Sequence, residues 1–229
     1  MKIKLFTTSL SFFTIFINPL FSQSMIGTQH DLSTGIDDND EICVYCHTPH
    51  AANTSYGAPL WNKPTITTSF TMYGATTSGV AGQTLAGTPT DPAPTGATLA
   101  CLSCHDGISA MNSVVNAPGS GGYNTNGTYI GNANSTPKDM PNAEEIAIGL
   151  YGDLTNDHPV SISYVEGVAG LKPKNTPITG WNNATTINDL LRDGKVQCVS
   201  CHDPHDPTYG RYLRYSNSGS QLCKTCHDK

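Results

Sequence analysis

Four copies of one pentapeptide carry every cysteine in the chain: Cys43-Val-Tyr-Cys46-His47, Cys101-Leu-Ser-Cys104-His105, Cys198-Val-Ser-Cys201-His202 and Cys223-Lys-Thr-Cys226-His227. Two thiols three positions apart can each add to one vinyl group of a porphyrin. The histidine that follows is then held where its imidazole meets the iron. The spacing reads as covalent attachment of haem c, four groups in all. Cys43, Cys46, Cys101, Cys104, Cys198, Cys201, Cys223 and Cys226 carry the thioethers, and His47, His105, His202 and His227 are the proximal iron ligands. Zinc half-sites and disulfide frameworks also use paired cysteines, but neither demands a histidine at the next position. With 8 histidines in 229 residues, four such placements by chance come to about one in a million.

The histidine inventory extends the argument. Four of the eight are proximal, leaving His30, His50, His158 and His205, one for each iron. They read as distal ligands, so that every haem is bis-histidine. Met25, Met72, Met111 and Met140 are the rival axial ligands, but each methionine used would leave a histidine idle. His50 stands three residues after His47 and cannot round the same porphyrin to its other face, so it serves a different iron. Within its own half that iron is haem 2, on His105; the same reasoning sends His205 to haem 4, on His227. His30 and His158 then remain for haems 1 and 3. Self-contained halves pair His30 with His47 and His158 with His202. The alternative gives His158 to haem 1 and passes His30, on a short N-terminal arm, to haem 3 of a neighbouring molecule. The sequence leaves both open. Six-coordinate irons offer no place to a substrate, so the chain is not expected to be an enzyme; a multihaem reductase is the less favoured reading.

The rest of the chain must position these motifs with little material. Lys2 and Lys4, the apolar run from Leu5 to Phe21 and the small residues Ser22 and Ser24 form an export signal, with cleavage expected after Ser24. The run is short for a membrane span and interrupted by Asn18-Pro19. A formal net charge of −6, before the signal's lysines are lost and haem propionates gained, argues against nucleic acid and anionic membrane as partners. Only 37% of residues are apolar, beside 22 Gly and 15 Pro, which is poor material for an ordinary core. The expected fold is therefore a multihaem cytochrome c of mostly irregular loops and turns. A few short α-helices wrap a stack of four covalently bound haems, with little or no β-sheet, and the apoprotein is not expected to fold.

In order along the chain, residues 1–24 are the signal peptide, and 25–110 form a dihaem half with haems 1 and 2. Residues 111–141 are a Gly/Asn/Ser-rich loop region, and 142–229 form a second dihaem half with haems 3 and 4. Short helices are expected at 142–150, with Asn142 as N-cap, and at 186–192, ended by Gly194. The acidic cluster 37–41 lacks the ligand spacing of a calcium loop and reads as a solvated turn. Each half runs through a lone histidine, a CXXCH motif extended by x-Pro-His, and a second CXXCH motif. That order points to duplication of a dihaem unit.

The chain resembles the OmcE-type tetrahaem cytochromes, which form extracellular cytochrome nanowires. The resemblance rests on His30-Asp31-Leu32-Ser33, the run Cys43 to His50, Pro59-Leu60-Trp61, the run Asn156 to Ser161, the run Cys198 to His205 and the terminal motif. It implies a loop-rich subunit with four bis-histidine haems, polymerised head to tail into an extracellular filament, and axial ligation across the subunit boundary, for which His30 is the favoured residue. The last motif closes the sequence, so haem 4 is expected to present an exposed face. A heterologous contact there grows filaments. A soluble monomeric carrier in the periplasm is the alternative.

Overall fold

The computed structural model describes residues 25–33, 40–74, 82, 84, 88–119, 122–131, 137–140, 146–168 and 170–228. The expected signal and most of the acidic cluster lie outside these residues. So does the start of the helix expected at 142–150; from Leu150 to Gly152 the chain makes a 3-10 turn.

Regular elements are few and short. The helices are α1 (Gly96–His105), α2 (Cys198–Cys201) and α3 (Gln221–Cys226); the strands are β1 (Ser113–Ala117), β2 (Gly122–Tyr129), β3 (Ile162–Ser163) and β4 (Lys195–Val196). The expectation of little or no β-sheet needs amending, because two small antiparallel sheets form, β1 with β2 and β3 with β4. The β1–β2 hairpin lies inside the region expected to be loop. Its first strand carries the β-branched pair Val114 and Val115, both buried, while β2 is polar and mostly exposed. Asn62 anchors the hairpin to the first half: its carbonyl accepts from Val115 N–H at 3.1 Å and its side-chain oxygen accepts from Asn116 N–H at 2.9 Å.

The segment expected to be helical over 186–192 is a shorter 3-10 turn, Ile187–Leu190. A capping box starts it, with Asp189 accepting from the Thr186 N–H and hydroxyl. Leu191 is extended, and Asp193 and Gly194 both adopt positive φ, which turns the chain into β4 before a second helical turn can form.

Burial is scattered. Tyr45, Val114 and Ile130 form one cluster; Met72, Leu102 and Leu154 a second; Tyr164, Ile187 and Leu191 a third; Trp181, Ala184 and Leu190 a fourth. Among the described residues these are four separate clusters, each of three buried side chains with partly buried ones packed around them, and polar contacts do much of the joining. Gln197, at the entry to α2, accepts from the Thr98 N–H at 3.2 Å and from the Thr98 hydroxyl, and Cys198 N–H donates to Thr98 Oγ1 at 3.3 Å. These bonds dock α2 on α1 across the two halves. Gly57 backs the start of α1 so closely that a Cβ there would lie 2.6 Å from the Gly96 carbonyl carbon. No helix among the described residues is long and apolar enough to cross a membrane.

Candidate haem centres

Each motif occupies a helical turn. Motif 1 enters on the 3-10 turn Ile42–Tyr45, motif 2 ends α1, motif 3 starts with α2, and motif 4 lies on α3. The N–H groups of His47, His202 and His227 donate to the carbonyls of Cys43, Cys198 and Cys223 at 2.8, 3.0 and 3.0 Å. Such a turn sets residues three apart on one face, so the paired thiols share a direction. The chain then becomes extended at His202 and His227, which frees the imidazole from the helix surface.

No disulfide joins any of the eight cysteines, so all four pairs are available for thioether attachment. Burial pushes Cys46 and Cys201 up to about 12, with the Cys104 thiol adding to the first and the Cys226 thiol to the second. Cys101 is raised by its hydrogen bond with Cys198 and by burial. These neighbour relations join the motifs in chain order: first to second, second to third, third to fourth.

The histidines are oriented by main-chain carbonyls. His47 Nδ1 bonds Pro59 O at 2.9 Å, His105 Nδ1 bonds Ile146 O at 3.1 Å, and His202 Nδ1 bonds Arg211 O at 2.9 Å. His30 Nδ1 bonds Pro204 O at 3.2 Å and His158 Nδ1 bonds Pro159 O at 3.1 Å. A carbonyl only accepts, so each Nδ1 carries the hydrogen and each Nε2 keeps the lone pair a metal needs. Burial also holds His30 and His105 below the ordinary imidazole value, which favours the neutral, ligating form.

Three imidazole pairs then test whether iron fits. A metal bound through Nε2 of two imidazoles, at about 2.0–2.1 Å from each, holds the ring centroids roughly 6.3 Å apart. The centroids of His47 and His205 are 6.1 Å apart, those of His30 and His105 6.1 Å, and those of His158 and His227 6.5 Å. Each pair joins one CXXCH histidine to one of the four additional histidines. The residues present fit the group.

The pairing differs from the sequence-based expectation. His50 was expected beside His105 and His205 beside His227; those places are taken by His30 and His158. The argument that His-x-x-His arms serve two different irons holds for His202 and His205, but the second ligand reaches the other half of the molecule. The cause is the docking of α2 on α1, which carries the chain after motif 3 to motif 1. His30 does not sit on a loose arm. Its N–H donates to the Tyr212 hydroxyl at 2.9 Å, and its ring stacks on Tyr212 at 4.1 Å with 9° between the planes. Nothing in the sequence marked Tyr212, Gln197 or the orienting carbonyls. Trp61 sets its ring edge-on to His47 and donates Nε1–H to Ser103 Oγ at 3.1 Å. His50 and His202 are the two imidazoles outside the three pairs.

The donor set of a zinc site is not assembled: among the described residues no group of three or more His, Cys, Asp or Glu converges to hold a metal ion. Residues 191–229, which contain motifs 3 and 4, match the model of a family described as a doubled CXXCH motif. No curated protein matches this sequence. The CXXCH motifs indicate covalently bound haem c, and with it the electron-transfer chemistry of a multihaem c-type cytochrome.

Proposed function

We propose that this protein is a tetrahaem electron carrier, with all eight histidines as axial ligands and no open iron for catalysis. The observation that carries this reading is the set of three imidazole pairs at iron-spanning separation, each with one member from a CXXCH motif. Haem iron, cycling between Fe(III) and Fe(II), supplies the one-electron chemistry. His47 and His205 hold haem 1, His105 and His30 haem 2, His227 and His158 haem 4. His50 and His202 share haem 3. They are the two imidazoles left over, and each stands three residues from a member of the His47–His205 pair. Two His-x-x-His arms that meet at one pair are placed to meet at the other.

The lone histidine of each half thus serves the second haem of that half, and the x-Pro-His histidines are exchanged between halves. The carbonyls fix the imidazole orientation, and the cysteines keep the groups attached during turnover.

We further propose that the subunits polymerise head to tail into an extracellular filament. Support comes from the export signal, the acidic balance, the resemblance to cytochrome nanowires, and the unbroken run of neighbouring thiols from the first motif to the fourth. In this reading His30 serves haem 2 of its own chain, in place of the shared ligation the resemblance implies, and the junction is a surface contact. Electron microscopy of a sheared extracellular fraction, with haem stain, is expected to show filaments of uniform width built from this chain. Discrete small particles from an abundant preparation would sink the polymer and leave the soluble periplasmic carrier. Haem content and electron paramagnetic resonance of the same material test the ligand set: four haems, all low-spin, are expected.

A further inference from the structure

Two buried cations stand beside the first motif of each half. Lys63 is 1% exposed, and its ammonium donates to the carbonyls of Met111 and Ser113. Arg214 is 6% exposed, and its guanidinium donates to Val199 O at 3.0 Å and Asn182 O at 2.9 Å. Acceptors made only of carbonyl dipoles favour the charged form but do not cancel it. The ion pairs among the described residues are Lys195 with Asp91 and His205 with Asp203, so neither cation has a carboxylate at salt-bridge distance. Burying such a charge is costly and calls for a reason.

Both cations are tied to a haem-carrying turn. Asn62 N–H donates to Cys46 O at 2.8 Å, which sets Lys63 beside motif 1, and the lysine's charge acts on the Cys46 thiol. Arg214 N–H donates to Cys201 O at 2.9 Å, and its side chain bonds Val199 inside motif 3. Arg192 and Asp203, opposite in sign, also act on Arg214, as does the Cys201 thiol. Motif 2 carries a wholly buried carboxylate instead, whereas the matching Asp203 after His202 is 32% exposed and pairs with His205 at 3.5 Å. Asp106, wholly buried next to His105, accepts from the Thr68 hydroxyl at 2.9 Å, the Ile108 N–H at 2.9 Å, and the Ser109 N–H and hydroxyl at 2.7 and 2.8 Å.

We propose that Lys63 and Arg214 are potential-setting residues that hold haems 1 and 3 at higher reduction potentials than haem 2. This rests on the tetrahaem reading above. Oxidation to Fe(III) adds one positive charge at the iron. A buried cation nearby resists that change, a buried carboxylate assists it, and a low dielectric strengthens both. The alternation places a step in potential between haems 1 and 2 and another between haems 2 and 3.

The test is an optical redox titration of the full-length holoprotein. Lys63→Met and Arg214→Gln are each expected to retain four low-spin haems and to move one of the four midpoint potentials to more negative values. Asp106→Asn is expected to move one to more positive values. Should Lys63→Met fail to load its haems, Lys63→Gln removes the charge while keeping donors for the two carbonyls, and Arg214→Gln reads the effect independently. Unchanged potentials in fully loaded Lys63 and Arg214 variants would overturn the assignment. A wild-type protein with fewer than four low-spin haems would instead overturn the reading on which it rests.

Discussion

The turn after motif 1 and the turn after motif 3 are built alike on the main chain and unlike in their side chains. His47 bridges Trp61 as His202 bridges Leu213. Thr48 N–H donates to Leu60 O at 2.9 Å, as Asp203 N–H donates to Tyr212 O at 2.8 Å, and Leu60 and Tyr212 share a positive φ. Asn62 N–H meets Cys46 O where Arg214 N–H meets Cys201 O. Even the carbonyl in mid-motif is used twice: Val44 O accepts from Asn62 Nδ2 at 2.7 Å, and Val199 O accepts from the Arg214 guanidinium. What the two halves share is the frame that aims an imidazole. What differs is the residue that brings the cation, Lys63 one place beyond Asn62 in the first half and Arg214 itself in the second, and the task given to the corner, where Leu60 faces solvent and Tyr212 is buried under His30. Two like frames can thus aim an imidazole in one way while their surroundings diverge.

The largest effect should come from removing what both halves hold in common. With all eight motif cysteines replaced by alanine, the chain is expected to lose cooperative unfolding altogether, because small separate clusters of apolar side chains cannot offset chain entropy. Circular dichroism through a thermal ramp reads this; a sharp transition in that variant would contradict it.

Next, His205→Ala and His158→Ala separate the exchanged ligand from the local one. Each should leave the haem count intact and convert one low-spin haem to high spin. His205→Ala should also loosen the two halves, seen as faster amide exchange in β3 and around Gln197, whereas His158→Ala should not. Equal protection in both variants would show that ligand exchange contributes nothing to holding the halves together.

A smaller loss follows at the non-haem joint. Gln197→Ala leaves the buried Thr98 N–H and hydroxyl without their acceptor, which should cost about 1–3 kcal/mol in denaturant unfolding of the holoprotein. The smallest effect is at Asp189, which has no counterpart cap in the first half. Hydrogen bonds from Thr185 and Thr186 hold its carboxyl down to about 2. A depressed folded-state value contributes stability above the unfolded value, about 3.9, and loses it as pH falls through the folded one. Asp189→Asn should therefore be less stable than wild type at neutral pH, with the deficit vanishing as the pH approaches 2.

The four motifs, the spare histidines and the loop-rich character were legible from residue types and spacing, since covalent chemistry and ligand count are local properties. The partners of His30, His158 and His205 were not. They depend on α2 docking to α1 through Gln197 and Thr98, two polar residues whose types announce nothing. The β1–β2 hairpin escaped because Val114 and Val115 are a two-residue signal inside a Gly- and Asn-rich stretch. The helix over 186–192 was mistaken in length rather than place, because the extended Leu191 and the left-handed Asp193 end it after one turn.

The His47–His205 pair has a consequence for how the molecule is made. A chain that is exported as it is synthesised presents motif 1 long before residue 205 exists. In the proposed ligand set Cys43 and Cys46 would take haem 1 at that stage, while His205, its second axial ligand, would follow only with the second half. Attachment and ligation would then be separate events in time. Maturation would have to shield that iron or finish translocation quickly.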